Sequence, residues 1–362
     1  MQDSLEQYKQ KINTQIAYFF SEKINSEENS TLKGHYIKIR DFVLRDGKRL
    51  RPIISLIAYS SITGQNPEKI LLPAISTELL HAGTLIQDDI MDEDTFRRNE
   101  PSMHKIMQDI FLEDAKDEPS DGDIFKNKSS RFGVSMAILH GNILFFLGKK
   151  AIHESKISGD TKQMLLEKYN GACTIVNEGQ ILDITYALTN EVSVEEYISM
   201  VKRKTAQLFI YSAQTGAILS DGSQKQIQIL SEIFEKFAVA FQIKDDLQDL
   251  EKSPNNDTFG SDIKRGNMTL PIIYALNNST ISGRKKLETL LGKPDLSDDE
   301  IQEIIKILRN SKGIQFAEKL AEEQIQEAKT LLEKNKKLFK KTDEIFVLID
   351  CVILQFAAQK LI

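Results

Sequence analysis

An acidic triad closing an apolar helix constrains this chain more than any other feature, because the chain carries it twice. In LLHAGTLIQDDIMDEDTFRR, Asp88, Asp89 and Asp92 end an apolar run and are followed at once by Arg97 and Arg98. Residues three and four apart share a helix face, so the three carboxylates are expected to converge on one point, where they repel each other if left unpaired. Alone, such a cluster reads as a solvated acidic turn. Asp245, Asp246 and Asp249 repeat the spacing in AFQIKDDLQDL, again behind an apolar run. Two such ends suggest the walls of one cavity that holds hard cations through carboxylate oxygen. The cation suited to few protein ligands and many waters is magnesium bridging phosphates.

Helical periodicity fills most of the remaining sequence. Residues 3–24 place Leu5, Tyr8, Ile12, Ile16, Phe19 and Phe20 on one face, and SEENS ends that pattern. Ser193 with Glu196 and Ser297 with Glu300 form capping boxes, and Pro52, Pro67 and Pro271 suit first helical turns. The last helix shows a stripe of Ile345, Leu348, Ile349, Val352 and Phe356. Strand alternation is almost absent and no repeat of about 30 to 45 residues is visible. The economical fold is one large all-α bundle spanning residues 1–362. Its one interruption is the charged stretch FLEDAKDEPSDGDIFKNKSS, which predicts an inserted mobile or disordered loop over 108–130.

Charge and cysteine content narrow the classes further. A net charge of −6 over 362 residues, with both signs mixed along the chain, excludes a nucleic-acid footprint. The two cysteines, Cys173 and Cys351, sit inside apolar helical patterns, which excludes a disulfide framework or zinc site and fits a reducing cytoplasm. The N-terminus MQDSLEQYKQ lacks the pattern of a signal peptide, and no transmembrane segment is expected, since no uninterrupted apolar run approaches ~20 residues.

Cations complete the pattern. DGKRLRP crowds Lys48, Arg49 and Arg51 behind a turn at Gly47, ahead of an apolar helix. Lys204 and Thr205 follow the Ser193 helix, and Lys264 and Arg265 lie in the glycine-punctuated TFGSDIKRGNMTLP. A cavity with two acidic triads and separate cations suits two diphosphates, one chelated through magnesium and one gripped directly. There is no P-loop, no GxSxG elbow and no metal-ligand spacing among the histidines, so the remaining chemistry is departure of a diphosphate.

With these blocks in view the sequence resembles the trans-isoprenyl diphosphate synthases, the polyprenyl synthetase family. GKRLRP, HAGTLIQDDIMD, EGQILDI, KTAQL, FQIKDDLQDL, GSDIKRGNMTLP and GIQFAEKLAEEQIQEA fall in the family's order. The resemblance implies an all-helical bundle of the isoprenoid synthase type around a central cavity, a homodimer, and several Mg2+ ions per site. It implies Asp88, Asp92 and Asp245 as metal ligands, supported by Asp89, Asp246 and Asp249. Arg97, Lys204, Gln242 and Lys264, with Thr205 beside them, would grip the allylic diphosphate. Lys48, Arg51, His81 and Arg98 would hold the diphosphate of isopentenyl diphosphate. The implied reaction ionises the allylic diphosphate, adds the isopentenyl double bond and loses a proton to the departing diphosphate.

The chain departs from the family pattern at Gln87 (usually histidine), Asn99 (glycine), Asn142 (aspartate) and Asn267 (lysine). Two competing readings are a non-catalytic subunit of a heteromeric synthase, which would lose the metal ligands, and a terpene cyclase, which would have no use for GKRLRP. For product length, a prenyl tail anchored at Asp88 runs back along its helix, first past Thr84 and Gly83, then Leu80 and Ser76. The absence of a bulky aromatic at these positions predicts a product of twenty carbons or more.

Overall fold

The structure, a computed structural model, describes residues 2–189, 191–251 and 259–358. These fall into two compact units, Met1–Tyr59 with Gln65–Tyr169, and Ser60–Gly64 with Asn170–Ile362.

The first unit contains α1 (Gln2–Ser26), α2 (Ser30–Leu44), most of α3 (Leu50–Thr63), α4 (Leu71–Met91), a hairpin of β1 (Phe96–Arg97) and β2 (Glu100–Pro101), α5 (Met103–Asp114), α6 (Lys128–Glu154) and the start of α7 (Gly159–Tyr186). The element at its centre is α4. A 3-10 turn at Pro67–Ile70, capped by Asn66, leads into it, and it is apolar on nearly every side, as a helix packed all round must be. It lies along α6, and Ile75, Leu79, Leu80 and Ile86 are fully buried. Pro67–Met91 and Lys128–Glu154 are both long and apolar enough to cross a membrane by length and composition alone, a test that the core helix of a soluble protein also passes. In α4 the reason is burial: 67% of its most apolar window lies inside the protein.

Two further features depart from the sequence reading. The expected loop over 108–130 is shorter, because α5 continues to Asp114 and α6 already begins at Lys128. Met107 is buried, the Phe111 ring centroid lies 5.6 Å from that of Phe132 with the rings tilted, and Gln108 donates to Ser129. These apolar residues at helical spacing outweigh the surrounding charge. The hairpin was not anticipated. Its central residues Arg98 and Asn99 both have positive φ, 57° and 61°, the geometry of a type I′ turn. Asn99 tolerates that conformation in place of the family's glycine.

The second unit contains the rest of α7, then α8 (Val194–Val201), a π-helical turn over Lys202–Ala206, α9 (Gln207–Leu219), α10 (Gln224–Asp249), α11 (Ser261–Arg265), α12 (Leu270–Asn278), α13 (Ile281–Leu290), α14 (Asp298–Asn310), α15 (Gly313–Lys334) and α16 (Asp343–Ala358). Capping boxes start α8, α10 and α14 at Ser193, Ser223 and Ser297. The core forms where α10 packs against α9 and α15, with Phe209, Phe234 and Phe237 in edge contact. In α16, Ile345, Leu348 and Ile349 are buried as expected. The side chains of Cys351, Val352 and Phe356 lie outside the described residues.

Candidate active site

In the first unit, the end of α4 separates the three carboxylates. Successive helical residues point about 100° apart, so Asp88 and Asp89 cannot face the same way. Asp89 turns inward and is wholly buried. Arg97 donates Nε to its Oδ1 at 2.6 Å and pairs with it again through Nη2, while Oδ2 has no hydrogen-bond partner among the described residues. Burial pushes the Asp89 carboxyl up to about 6 despite that arginine. Arg97 also lies 3.7 Å from Asp88 and 3.6 Å from Asp94. Asp88 and Asp92 are half-buried. Among the described residues no trio of His, Cys, Asp or Glu is arranged to hold a metal ion, which corrects the expectation that one triad converges on a point.

The basic turn is organised by Arg49, a residue the site reading passed over. It adopts φ 51° and is almost fully buried. Its guanidinium reaches Glu78 at 2.8 Å, Asn13 at 2.8 Å and the Arg45 carbonyl at 2.7 Å, so α1, α2 and α4 all fix the turn. On one side of it Lys48 is exposed; on the other, burial pushes Arg51 down to about 10. The Arg98 guanidinium lies over Gly47, where a Cβ would stand 2.6 Å from Nη1. A larger residue there would push the guanidinium aside. The turn and the hairpin therefore meet, and His81 faces them: burial, then the charges of Arg51, Arg98, Arg97 and Arg49, hold its imidazole well below its ordinary value. Its Nδ1 is buried and without a hydrogen bond among the described residues. Arg51, His81 and Arg98, expected at one diphosphate, thus lie near one another, and Arg97, expected at the other, lies near them as well.

The chain-length residues divide. On the helical wheel Thr84 lies about 40° from Asp88, but Gly83 lies about 140° away. Gly83 instead packs on α6, where a Cβ would stand 2.6 Å from the Phe145 ring and 3.1 Å from the Gly141 carbonyl oxygen. Leu80 and Ser76 are fully buried, and the Thr84 hydroxyl donates to the His81 carbonyl at 2.7 Å. Gln87, also on the α6 side, donates to Asn142 at 3.2 Å. Two of the departures from the family pattern are therefore one matched amide pair.

In the second unit, the end of α10 carries the other triad. Asp245 is exposed. Asp246 is buried and accepts from Tyr197 Oη at 2.6 Å and from Gln242 Nε2 at 2.8 Å. Burial, then the neighbouring Asp262, raises its carboxyl well above the ordinary range. Gln242 accepts in turn from Thr205 Oγ1 at 2.8 Å, so the π turn is tied to α10. Lys204, in the same turn, pairs with Asp183 at 2.5 Å. Such turns recur at functional sites, and here α7 makes room for one: a Cβ on Gly179 would stand 2.2 Å from the Lys204 backbone nitrogen. Asp249 accepts from Ser261 Oγ at 2.9 Å and from the Asp262 backbone at 3.1 Å, anchoring α11 and with it Lys264. Asn267 donates to Asp262 at 3.0 Å, and burial together with Asp249 pushes Asp262 up to about 6. Tyr197 and Asp262 escaped the sequence reading because neither lies at a telling spacing from the residue it serves.

The chain is similar to known proteins along most of its length. The short chain isoprenyl diphosphate synthase of Methanocaldococcus jannaschii is 31% identical over 279 residues, 76% of either chain. The geranylgeranyl diphosphate synthase of Saccharolobus solfataricus is 30% identical over 280 residues, again 76% of either chain. The crystal structure of geranylgeranyl pyrophosphate synthetase from Pyrococcus horikoshii matches 97% of both chains at a TM-score of 0.79 and 26% identity. Residues 36–308 match the family model described as polyprenyl synthetase, and the chain belongs to that family.

Proposed function

We propose that this chain is a trans-prenyltransferase that joins isopentenyl diphosphate to an allylic diphosphate, head to tail, and releases diphosphate. The observation that carries the reading is the cluster of Arg51, Arg97 and Arg98 near His81, with Arg97 and Arg98 lining one cleft, an arrangement suited to gripping an anion directly. Carboxylates end α4 and α10, and we infer that both act in the same turnover.

Asp88, Asp92 and Asp245 are the groups that would hold magnesium. They are hard oxygen donors, Asp88 and Asp92 half-buried and Asp245 exposed, which suits an ion that keeps waters and shares phosphate oxygens. Bound there, magnesium would neutralise charge on the departing diphosphate. The chain's own residues do the rest. Lys204 and Lys264, with Gln242 and Thr205, hold the allylic diphosphate, and Asp89 and Asp246 fix Arg97 and Gln242 in place. Lys48, Arg51 and Arg98 hold the second diphosphate. The allylic C–O bond breaks with its electron pair leaving on diphosphate, and the isopentenyl double bond forms the new C–C bond. The departing diphosphate then takes the proton lost, so no protein base is needed.

The product proposed is all-trans and of twenty carbons or more, supported by relatives named as geranylgeranyl and geranylfarnesyl diphosphate synthases and by threonine rather than an aromatic at position 84. The chain would work as one catalytic domain in the cytoplasm. Ile138, Leu139 and Phe146, exposed along α6, suit a homodimer contact. The test is incubation of the purified chain with isopentenyl and farnesyl diphosphates and magnesium, with products sized by chromatography. Release of a geranylgeranyl or longer diphosphate is expected; no condensation by the isolated chain would refute the proposal.

A further inference from the structure

Arg45, just beyond α2, is 8% exposed and stands among the arginines without belonging to any motif. Its guanidinium lies 4.9 Å over the Phe42 ring, and its Nε meets Glu100 of β2 at 3.1 Å. Its carbonyl accepts from Arg49 at 2.7 Å and from Arg98 at 3.4 Å. Its Nη1, however, is buried and has no hydrogen-bond partner among the described residues. A buried donor left unmet costs ~1–3 kcal/mol, more when charged.

Arg45 lines a part-open cleft with Arg97 and Arg98, backed by the apolar side chains of Phe42 and Ala82. The carboxylates around it are already engaged. Glu78, also in the wall, is held by Arg49; Asp89 holds Arg97; Glu100 reaches only the Nε of Arg45. The three guanidiniums stand together against an apolar wall, Arg97 held by Asp88, Asp89 and Asp94 and Arg98 in no ion pair among the described residues. Their planar forks match phosphate oxygens better than a lysine would.

We infer that Arg45 is a further substrate contact, donating Nη1 to the diphosphate of isopentenyl diphosphate in the cleft it shares with Arg98. The isoprenoid identity of that ligand rests on the function proposed above; the anion contact does not. Calorimetry on the full chain, without metal or primer, tests it with isopentenyl diphosphate and, separately, inorganic diphosphate. Arg45→Ala is expected to weaken binding of both by ~10- to 100-fold, the loss of one charge-assisted contact. Arg45→Lys, which keeps the charge and the fold, should recover part of it. Glu100→Gln, which removes only the brace on Nε, should stay within ~3-fold of wild type. Unchanged affinity in Arg45→Ala and Arg45→Lys overturns the inference, as does a loss in Glu100→Gln equal to that in Arg45→Ala, which would make Arg45 a brace for the hairpin. Arg45-dependent binding of inorganic diphosphate without binding of isopentenyl diphosphate would uphold the anion contact and overturn the substrate reading.

Discussion

Gly179→Ala separates the demands of the fold from those of the site. The added methyl would stand 2.2 Å from the Lys204 nitrogen, 2.6 Å from its Cα and 2.7 Å from the Arg203 carbonyl carbon. All three are backbone atoms, so no side chain can rotate away; α7 and the π turn must part by roughly 1 Å to restore carbon contacts of about 3.5 Å. Overpacking of this kind costs ~1–3 kcal/mol, and the better helix propensity of alanine returns ~1 kcal/mol, so the net loss of stability is modest. The effect on turnover is larger. Lys204 and Thr205 both ride on the displaced turn, and a shift of about 1 Å in a positioning element costs on the order of 10²-fold. Gly171→Ala is the control: it makes the same change in the same helix, at an exposed position with nothing within 4 Å of the new methyl. That variant should gain ~0.5–1 kcal/mol and keep its kinetics. Urea titration gives the stabilities, and steady-state rates with varied allylic diphosphate give the kinetics. A Gly179→Ala enzyme with wild-type rates would refute the claim that this contact places Lys204 and Thr205.

Asp88→Ala and Asp245→Ala should each lower turnover at saturating substrate by ~10²-fold or more; near-normal turnover in either variant would exclude that triad from the chemistry. Gly83→Ala should cost ~1–3 kcal/mol in denaturant titration through Phe145 and the Gly141 carbonyl, and leave product length alone. Thr84→Phe, on the Asp88 face of α4, should shorten the product, and a chromatogram unchanged from wild type would refute that face assignment. His140 is held down at about 4 by burial, then by His35 and Lys38, against 6.5 unfolded. The unfolded chain therefore binds more protons between those values, and stability falls as pH drops from about 6.5 toward 4, by ~3 kcal/mol at most. His140→Gln should flatten that fall in melts run across the window, and an undiminished slope would rule His140 out as its source.

The features legible in the sequence are those decided within one helical turn. The capping boxes at Ser193 and Ser297 and the acidic ends of α4 and α10 rest on neighbours three or four residues away, where spacing alone specifies the contact. The choice of partner across the fold is not of that kind. Arg49 finds Glu78 across 29 residues, Tyr197 finds Asp246 across 49, and His35 finds His140 across 105. Which of two adjacent carboxylates turns inward depends on the phase of α4 against its neighbours, so Asp88 and Asp89 look equivalent in sequence and are not. Short elements fail for the opposite reason: FRRNEP is too brief to show alternation, and KRKTA carries no mark of a π turn. Glycine is the residue whose meaning is hidden most completely. Gly47, Gly83 and Gly179 each stand where a Cβ would come within 3 Å of another part of the chain, against Arg98, Phe145 and Lys204 respectively. Gly47 and Gly179 thereby seat cations of the site, while Gly83, placed by sequence on the product channel, seats α6. The missing side chain is visible in all three; what fills the space decides whether it serves chemistry or packing, and that is a property of the neighbour.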